Sequence, residues 1–233
     1  MTRSAGNGIH TFEHRKERFM NAEIKGIIFD LDGVIVFTDE LHYGAWKKMA
    51  EELGVYFDRE INHLLRGVSR MESLEIILRN YKGEPLSEAE KLSLAEKKNE
   101  IYKELLEHMK PSDVSDEVRN TLKTLKERGY LLAIGSSSKN AKRILEKIEL
   151  KEEFHAISDG TNIAKSKPDP EVFIKAAKYL GLEPKQCLVV EDADAGIEAA
   201  IAGGMHCAAI GAAAKSGKSE YTLERFSDLL ALS

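Results

Sequence analysis

The apolar positions follow two different periods along the chain. Gly26-Ile27-Ile28-Phe29 is a short β-branched and aromatic run that ends abruptly in Asp30-Leu31-Asp32-Gly33, the pattern of a strand buried on both faces. The spacing then becomes helical. Leu41, Ala45, Met49 and Leu53 share one face of a helix stopped by Gly54. Leu74, Ile77 and Leu78 mark another, ending near Tyr81-Lys82-Gly83, with Gly67-Val68-Ser69-Arg70 as a polar turn ahead of it. Ser87-Glu88-Ala89-Glu90 is a capping box that opens a charged helix reaching about Met109. Its Lys/Glu-rich surface is expected to be a solvated face. No strand signal occurs in 39–108.

From Pro111 onward helix and strand alternate. Val118, Leu122 and Leu125 line a helix closed by Gly129, and Tyr130–Gly135 is an apolar strand. A helix carrying Ile144, Leu145 and Ile148 leads to a short strand at 156–158. Asp169-Pro170 caps and starts a helix with Phe173, Ala176, Ala177 and Leu180. Cys187–Val190 is a strand, Ala195 to Gly203 a helix, His206 to Ile210 a last core strand, and the tail through Tyr221 and Leu230 a terminal helix. Such alternation predicts an α/β fold: right-handed βαβ units and a parallel sheet covered by helices on both faces. The helical stretch interrupts that series after its first strand. The expected organisation is therefore a mobile extension over 1–22 (with Met20 as a candidate true start), a core of 23–38 and 109–233, and an inserted all-helical cap of 39–108.

Composition adjusts this picture only slightly. A chain of 233 residues with 42% hydrophobic content can bury a sizeable core. The formal charge of −5 is spread without a long basic block, which gives no support for nucleic acid as a partner. Cys187 and Cys207 lack CxxC spacing and fall in apolar stretches, the usage of reduced, buried thiols. No apolar run approaches the roughly 18 residues of a membrane span, and no signal-peptide core is visible. The expectation is a cytoplasmic monomer.

Three strand ends then deliver polar residues: Asp30/Asp32, the run Ser136-Ser137-Ser138-Lys139-Asn140, and Glu191/Asp192. Ligands of open parallel sheets bind outside the carboxyl ends of the strands. Burying two anions together is unfavourable unless a cation or proton intervenes. Asp30, Asp32, Glu191 and Asp192 suit a hard oxygen-seeking ion such as Mg2+, and no His/Cys set for zinc accompanies them. A hydroxyl-rich loop before a helix is a phosphate site or an ordinary set of caps. Lys167, in Lys167-Pro168-Asp169-Pro170, is a further phosphate contact or surface decoration.

Asp30-Leu31-Asp32-Gly33-Val34, the Ser136 loop, Lys167-Pro168 and Glu191-Asp192-Ala193-Asp194-Ala195-Gly196-Ile197, in this order, resemble the motifs of the haloacid dehalogenase superfamily. The resemblance spans about 24–212. It implies a Rossmann-like core, Mg2+, and phosphoryl transfer through an aspartyl phosphate. By the same resemblance Asp30 is the nucleophile and Asp32 the general acid/base. Ser136 and Lys167 bind the transferring phosphate, and Glu191 and Asp192 hold the metal together with the two aspartates.

Within the superfamily, Thr38-Asp39-Glu40-Leu41-His42-Tyr43-Gly44-Ala45-Trp46, Gly67-Val68-Ser69-Arg70 and Ser136–Asn140 resemble the β-phosphoglucomutase branch. That branch interconverts β-D-glucose 1-phosphate and glucose 6-phosphate through β-glucose 1,6-bisphosphate. The likeness implies a small sugar phosphate as partner and assigns the cap segments Thr38, His42, Trp46 and Gly67–Arg70 to its binding. Arg70 would grip the non-reacting phosphate, with Ser138 and Asn140 near the second phosphate or the sugar and Ser137 among the substrate- or phosphate-binding residues. Two readings stay open for His42 and Trp46, substrate alignment or an ordinary half-buried core pair, and Arg70 is otherwise a surface arginine. The chain departs from the branch at Ala193-Asp194 and at Phe37, which stands where an aspartate is usual. A small-molecule phosphatase shares nearly all these motifs, and a non-catalytic binding protein of the same fold is the third reading. A binding module has no need for a buried carboxylate cluster.

Overall fold

The computed structural model describes residues 24–65 and 69–233. The expected N-terminal extension and the cap positions Gly67 and Val68 lie outside the described residues. The centre of the molecule is β1 (Gly26–Phe29), paired in parallel with β2 (Leu131–Gly135) on one side and β4 (Cys187–Glu191) on the other. β3 (Ala156–Ser158) adds beyond β2, β5 (His206–Ala209) beyond β4, and β6 (Tyr221–Thr222) beyond β5, giving the order β3-β2-β1-β4-β5-β6, all parallel.

Side chains alternate across a strand, and the two faces follow that rule. Ile27 and Phe29, with Leu132, Ile134, Leu188 and Val190, pack on α5 (Asp116–Glu127) and α6 (Ala141–Lys147) through Leu122, Leu125, Ile144 and Leu145. Ile28, Ala133, Val189 and Cys207 face α7 (Glu171–Leu180) and α8 (Asp194–Ala202) through Phe173, Ala176, Ala177 and Ile197. Both cysteines are free and buried, as the composition suggested. Because the strands are parallel, every carboxyl end opens on one edge. Asp30, Ser136, Asp159 and Asp192 all lie there.

Four helices separate β1 from β2 in the segment 39–108 among the described residues. They are α1 (Asp39–Glu52), α2 (Arg59–His63), α3 (Arg70–Leu78) and α4 (Glu88–Leu106). They enclose their own cluster, with Trp46, Met49, Phe57, Leu74, Ile77 and Ala95 among its buried members. Ile101, Tyr102 and Leu106 of α4, with Ala45 of α1, instead join the apolar layer of the sheet. The capping box at Ser87 forms as its sequence implies, and Gly54 follows α1 at φ +66°. None of the described helices is long and apolar enough to cross a membrane.

Some expectations need correction. The tail is not one helix. Tyr221 and Leu223 are buried while Thr222 and Glu224 are exposed, a period of two that makes β6, and a 3-10 turn at Phe226–Asp228 and the short helix Leu229–Leu232 (α9) follow it. Arg70 is not part of a turn. Ser69 caps α3 through a capping box with Glu72, and Arg70 is its first helical residue. The charged face of α4 is not wholly solvated either, because Lys98 is only 3% exposed. It falls on the stripe of Ala95, Ile101 and Tyr102, which carries it inward despite its charge.

Candidate active site

Asp30 follows β1, and its backbone N–H donates to Val190 O at 2.9 Å, which extends the β1–β4 ladder to the last residue before the turn. Its carboxylate converges with those of Glu191 and Asp192, one oxygen from each lying within 4.8 Å of the others. Gly33, at φ +81°, makes room for the third: a Cβ there would overlap Asp192 Oδ2. Gly196 does the same for Glu191, whose carboxylate a Cβ would strike. Lys167 reaches into this group from the loop before α7. Its Nζ donates to Asp30 Oδ1 at 2.6 Å and to Glu191 Oε2 at 2.7 Å, and it lies 4.6 Å from the Phe173 ring centre. The other oxygen of Glu191, Oε1, accepts from the backbone N–H groups of Asp192 and Ala193 at 3.2 and 3.1 Å.

Three carboxylates face one ammonium. Burial works against the charge of Lys167, but Asp30 and Glu191 outweigh it and hold the ammonium above the ordinary lysine range. Burial pushes Glu191 up to about 8, with Lys167 opposing and Asp30 adding repulsion. Burial and the Asp30 charge raise Asp192 to about 6. A site that draws protons onto its carboxylates is short of positive charge. The donors are hard oxygens, the set magnesium prefers, so these residues fit a divalent cation at Asp30, Glu191 and Asp192.

The side chain of Asp32 is not one of the three that converge. It turns toward the helical segment, where its Oδ1 accepts from the backbone N–H of Thr38 at 3.0 Å and from the Thr38 hydroxyl. Tyr102 O–H in turn donates to Thr38 Oγ1 at 3.0 Å. Burial, with the Asp30 charge adding and the Thr38 hydrogen bonds opposing, pushes Asp32 to about 7. His42 Nε2 stands 3.9 Å from Asp32 Oδ2, and its ring stacks on Tyr102 at 4.1 Å. Behind it Lys98 Nζ lies 2.9 Å from His42 Nδ1, over the rings of Trp46 and Tyr102 at 4.8 and 4.7 Å. When Lys98 is an ammonium it can only donate, and the imidazole proton then lies on Nε2, facing Asp32. Burial, the Lys98 charge and the Arg70 charge keep His42 well below the ordinary histidine range. Trp46 is buried in the helical cluster.

The Ser136 loop turns back on itself. Ser138 N–H donates to Ser136 Oγ and Asn140 N–H to Ser138 Oγ, each at 3.2 Å. Ser137 Oγ is enclosed without a hydrogen-bond partner. A cavity of about 520 Å³ opens beside it, lined by Ser137, Lys139, Gly160, Thr161, Ile163, Ala164 and Ser166. Arg70 crosses toward this loop: its Nη2 donates to Asn99 Oδ1 at 2.9 Å, and Asn140 Nδ2 donates to the same oxygen at 2.9 Å. Lys98 and Asn99 are the residues the sequence reading missed. The available signal was the charged Lys98 on the apolar stripe of α4.

Residues 27–210 match the family described as haloacid dehalogenase-like hydrolase. Over 207 residues the chain is 40% identical to β-phosphoglucomutase of Bacillus subtilis (strain 168), covering 88% of this chain and 92% of that protein. It is also 30% identical over 181 residues to a fructose-1-phosphate phosphatase of Escherichia coli (strain K12), covering 77% of this chain and 93% of that one. The fold is similar to the crystal structure of β-phosphoglucomutase from Clostridium difficile, with a TM-score of 0.81 and 36% identity over 88% of this chain and 93% of that one.

Proposed function

This chain belongs to the haloacid dehalogenase-like hydrolase family, and on that premise we propose that it is a sugar phosphomutase converting β-D-glucose 1-phosphate to glucose 6-phosphate. The observation that carries the reading is the separation of the two aspartates: Asp30 is paired with Lys167, while Asp32 points away to Thr38 and His42. One carboxylate is presented for attack and the other for proton transfer. The level of identity and the coverage of the Bacillus enzyme favour this branch.

In the proposed sequence a carboxylate oxygen of Asp30 attacks the C1 phosphorus of β-glucose 1,6-bisphosphate. The bond from phosphorus to the sugar oxygen breaks as Asp32 gives that oxygen its proton, and glucose 6-phosphate leaves. The aspartyl phosphate is then attacked by the 6-hydroxyl of β-glucose 1-phosphate, which regenerates the bisphosphate. Asp32 takes the hydroxyl proton and Asp30 is released. Splitting the transfer in this way lowers each barrier, and a carboxyl poised at about 7 can serve both steps. Lys167 offsets charge on the transferring phosphoryl oxygens. Asp30, Glu191 and Asp192 would hold Mg2+, which supplies further positive charge at that centre. Ser136 contacts the transferring phosphate, and Arg70, Ser138 and Asn140 the distal one. Residues 39–108 serve as the cap over the core, and β-glucose 1,6-bisphosphate is the intermediate.

The likeness to the Escherichia coli phosphatase supports a second reading, hydrolysis of a small sugar phosphate with water as the second acceptor. Product analysis separates them: β-glucose 1-phosphate with a trace of the bisphosphate and Mg2+ should yield glucose 6-phosphate faster than free phosphate. Phosphate release without glucose 6-phosphate would overturn the mutase.

A further inference from the structure

Asn99 sits in the interior of α4, half-buried, at the junction of cap and core. Asparagine is a poor choice for a helix interior, so its place there calls for a partner. It has two. Its Oδ1 accepts from Arg70 Nη2, on the first turn of α3, and from Asn140 Nδ2, just before α6 of the core, at 2.9 Å each. One oxygen therefore gathers a guanidinium from the cap and an amide from the core onto a single point. Arg70 is partly buried beside Glu96 and Glu100. A long side chain left without Asn99 would be free to swing to those carboxylates.

We propose that Asn99 is the positioning residue of the distal-phosphate grip. Its carbonyl holds one N–H of Arg70 and the amide of Asn140, so that the rest of the guanidinium fork and the amide face a second phosphate together. The inference rests on the reading of Arg70 and Asn140 as distal-phosphate contacts. Guanidinium recognition of phosphate depends on the orientation of the fork as well as on its charge, and pre-orienting donors removes part of the ordering penalty of binding. Asn99 itself need not touch the sugar phosphate. Because alanine is the better helix former, Asn99→Ala does not threaten α4.

The test is calorimetric titration in an Asp30→Asn background with Mg2+, so that nothing turns over. The probes are α-D-glucose 1,6-bisphosphate and methyl phosphate, which has no distal group. The bisphosphate should bind more tightly, and Asn99→Ala should shrink that advantage about tenfold while methyl phosphate affinity changes by less than about twofold. In an Arg70→Ala background, adding Asn99→Ala should matter far less, because no guanidinium remains to be positioned. Equal weakening of both probes, an undiminished bisphosphate advantage, or the same loss with and without Arg70 would each overturn the inference, as would a parent with no bisphosphate advantage. A parent that releases phosphate without forming glucose 6-phosphate would remove the mutase reading and leave this binding result standing.

Discussion

Replacing Lys98 with methionine should make the protein more stable, and by an amount that depends on pH. Lys98 is 3% exposed and lies against the Trp46 and Tyr102 rings and His42. Burial, with the Arg70 charge adding and Asp32 opposing, lowers its pKa from the ordinary 10.5 to about 7. The unfolded chain therefore binds this proton more readily than the folded one. Between pH 7 and pH 10.5 the unfolded state holds more protons, so the parent gains stability as pH rises. Below pH 7 both states are protonated and the full penalty applies. The gap between the two pKa values corresponds to roughly 5 kcal/mol. Lys98→Met removes the group, so at pH 6 the variant should exceed the parent by about that amount, shifting the urea midpoint by about 2 M. The difference should shrink by about 1.4 kcal/mol per pH unit and vanish near pH 10.5. Turnover should fall, because His42 loses the partner that fixes its tautomer. Urea unfolding of both proteins at pH 6, 8 and 10 decides it. A variant less stable than the parent at pH 6, or a difference that does not vary with pH, would refute the reasoning.

Other outcomes follow from the carboxylate cluster. Asp30→Asn should keep the fold and abolish turnover, since an amide cannot supply the attacking oxygen; substantial residual kcat would remove Asp30 as nucleophile. Asp32→Asn should reduce turnover by roughly 10²–10⁴-fold on sugar phosphates and far less on an activated aryl phosphate, whose leaving group needs no proton; equal losses would argue against proton transfer. Adding Mg2+ in weak buffer at pH 7 should release protons, because Glu191, raised to about 8, and Asp192, raised to about 6, give theirs up to a cation. A silent pH electrode at saturating Mg2+ would count against the site.

Most of the sheet was readable because its signal is local. Ile27–Phe29, Leu131–Gly135 and Cys187–Val190 are continuous apolar runs that end in polar residues, and a parallel sheet must bring such ends to one edge. Lys167 was readable only in combination with them, since a lysine before a proline is usually solvated. What stayed hidden depends on packing between elements distant in sequence. Asn99 meets Asn140 only because α4 lies over the loop after β2, and nothing near either residue announces the other. The direction of the Asp32 side chain was hidden for the same reason. Strand geometry puts residues 30 and 32 on one side, but the chain leaves extended geometry at the turn and Thr38 captures the second carboxylate. The two-residue β6 was too short for its alternation to stand out against the helical tail expected there.

The position of β1 has a consequence for how the chain is made. Among the described strands it is the first in the chain, yet both its neighbours come late: Gly26 pairs with Leu131 and with Cys187. The entropy of closing so long an excursion is modest, since lengthening a loop from about 10 to about 100 residues adds only about 2 kcal/mol. Time is the heavier constraint. At roughly 5–20 residues per second on the ribosome, Ile27-Ile28-Phe29 waits on the order of 5–20 s for β2 and longer for β4. Through that interval this wholly buried strand has two open edges. The helices of 39–108 emerge next, and Ala45, Ile101, Tyr102 and Leu106, which join the apolar layer of the sheet, wait with β1. A nascent chain stalled before Leu131 therefore exposes them beside an unpaired strand, a species open to aggregation and to capture by chaperones.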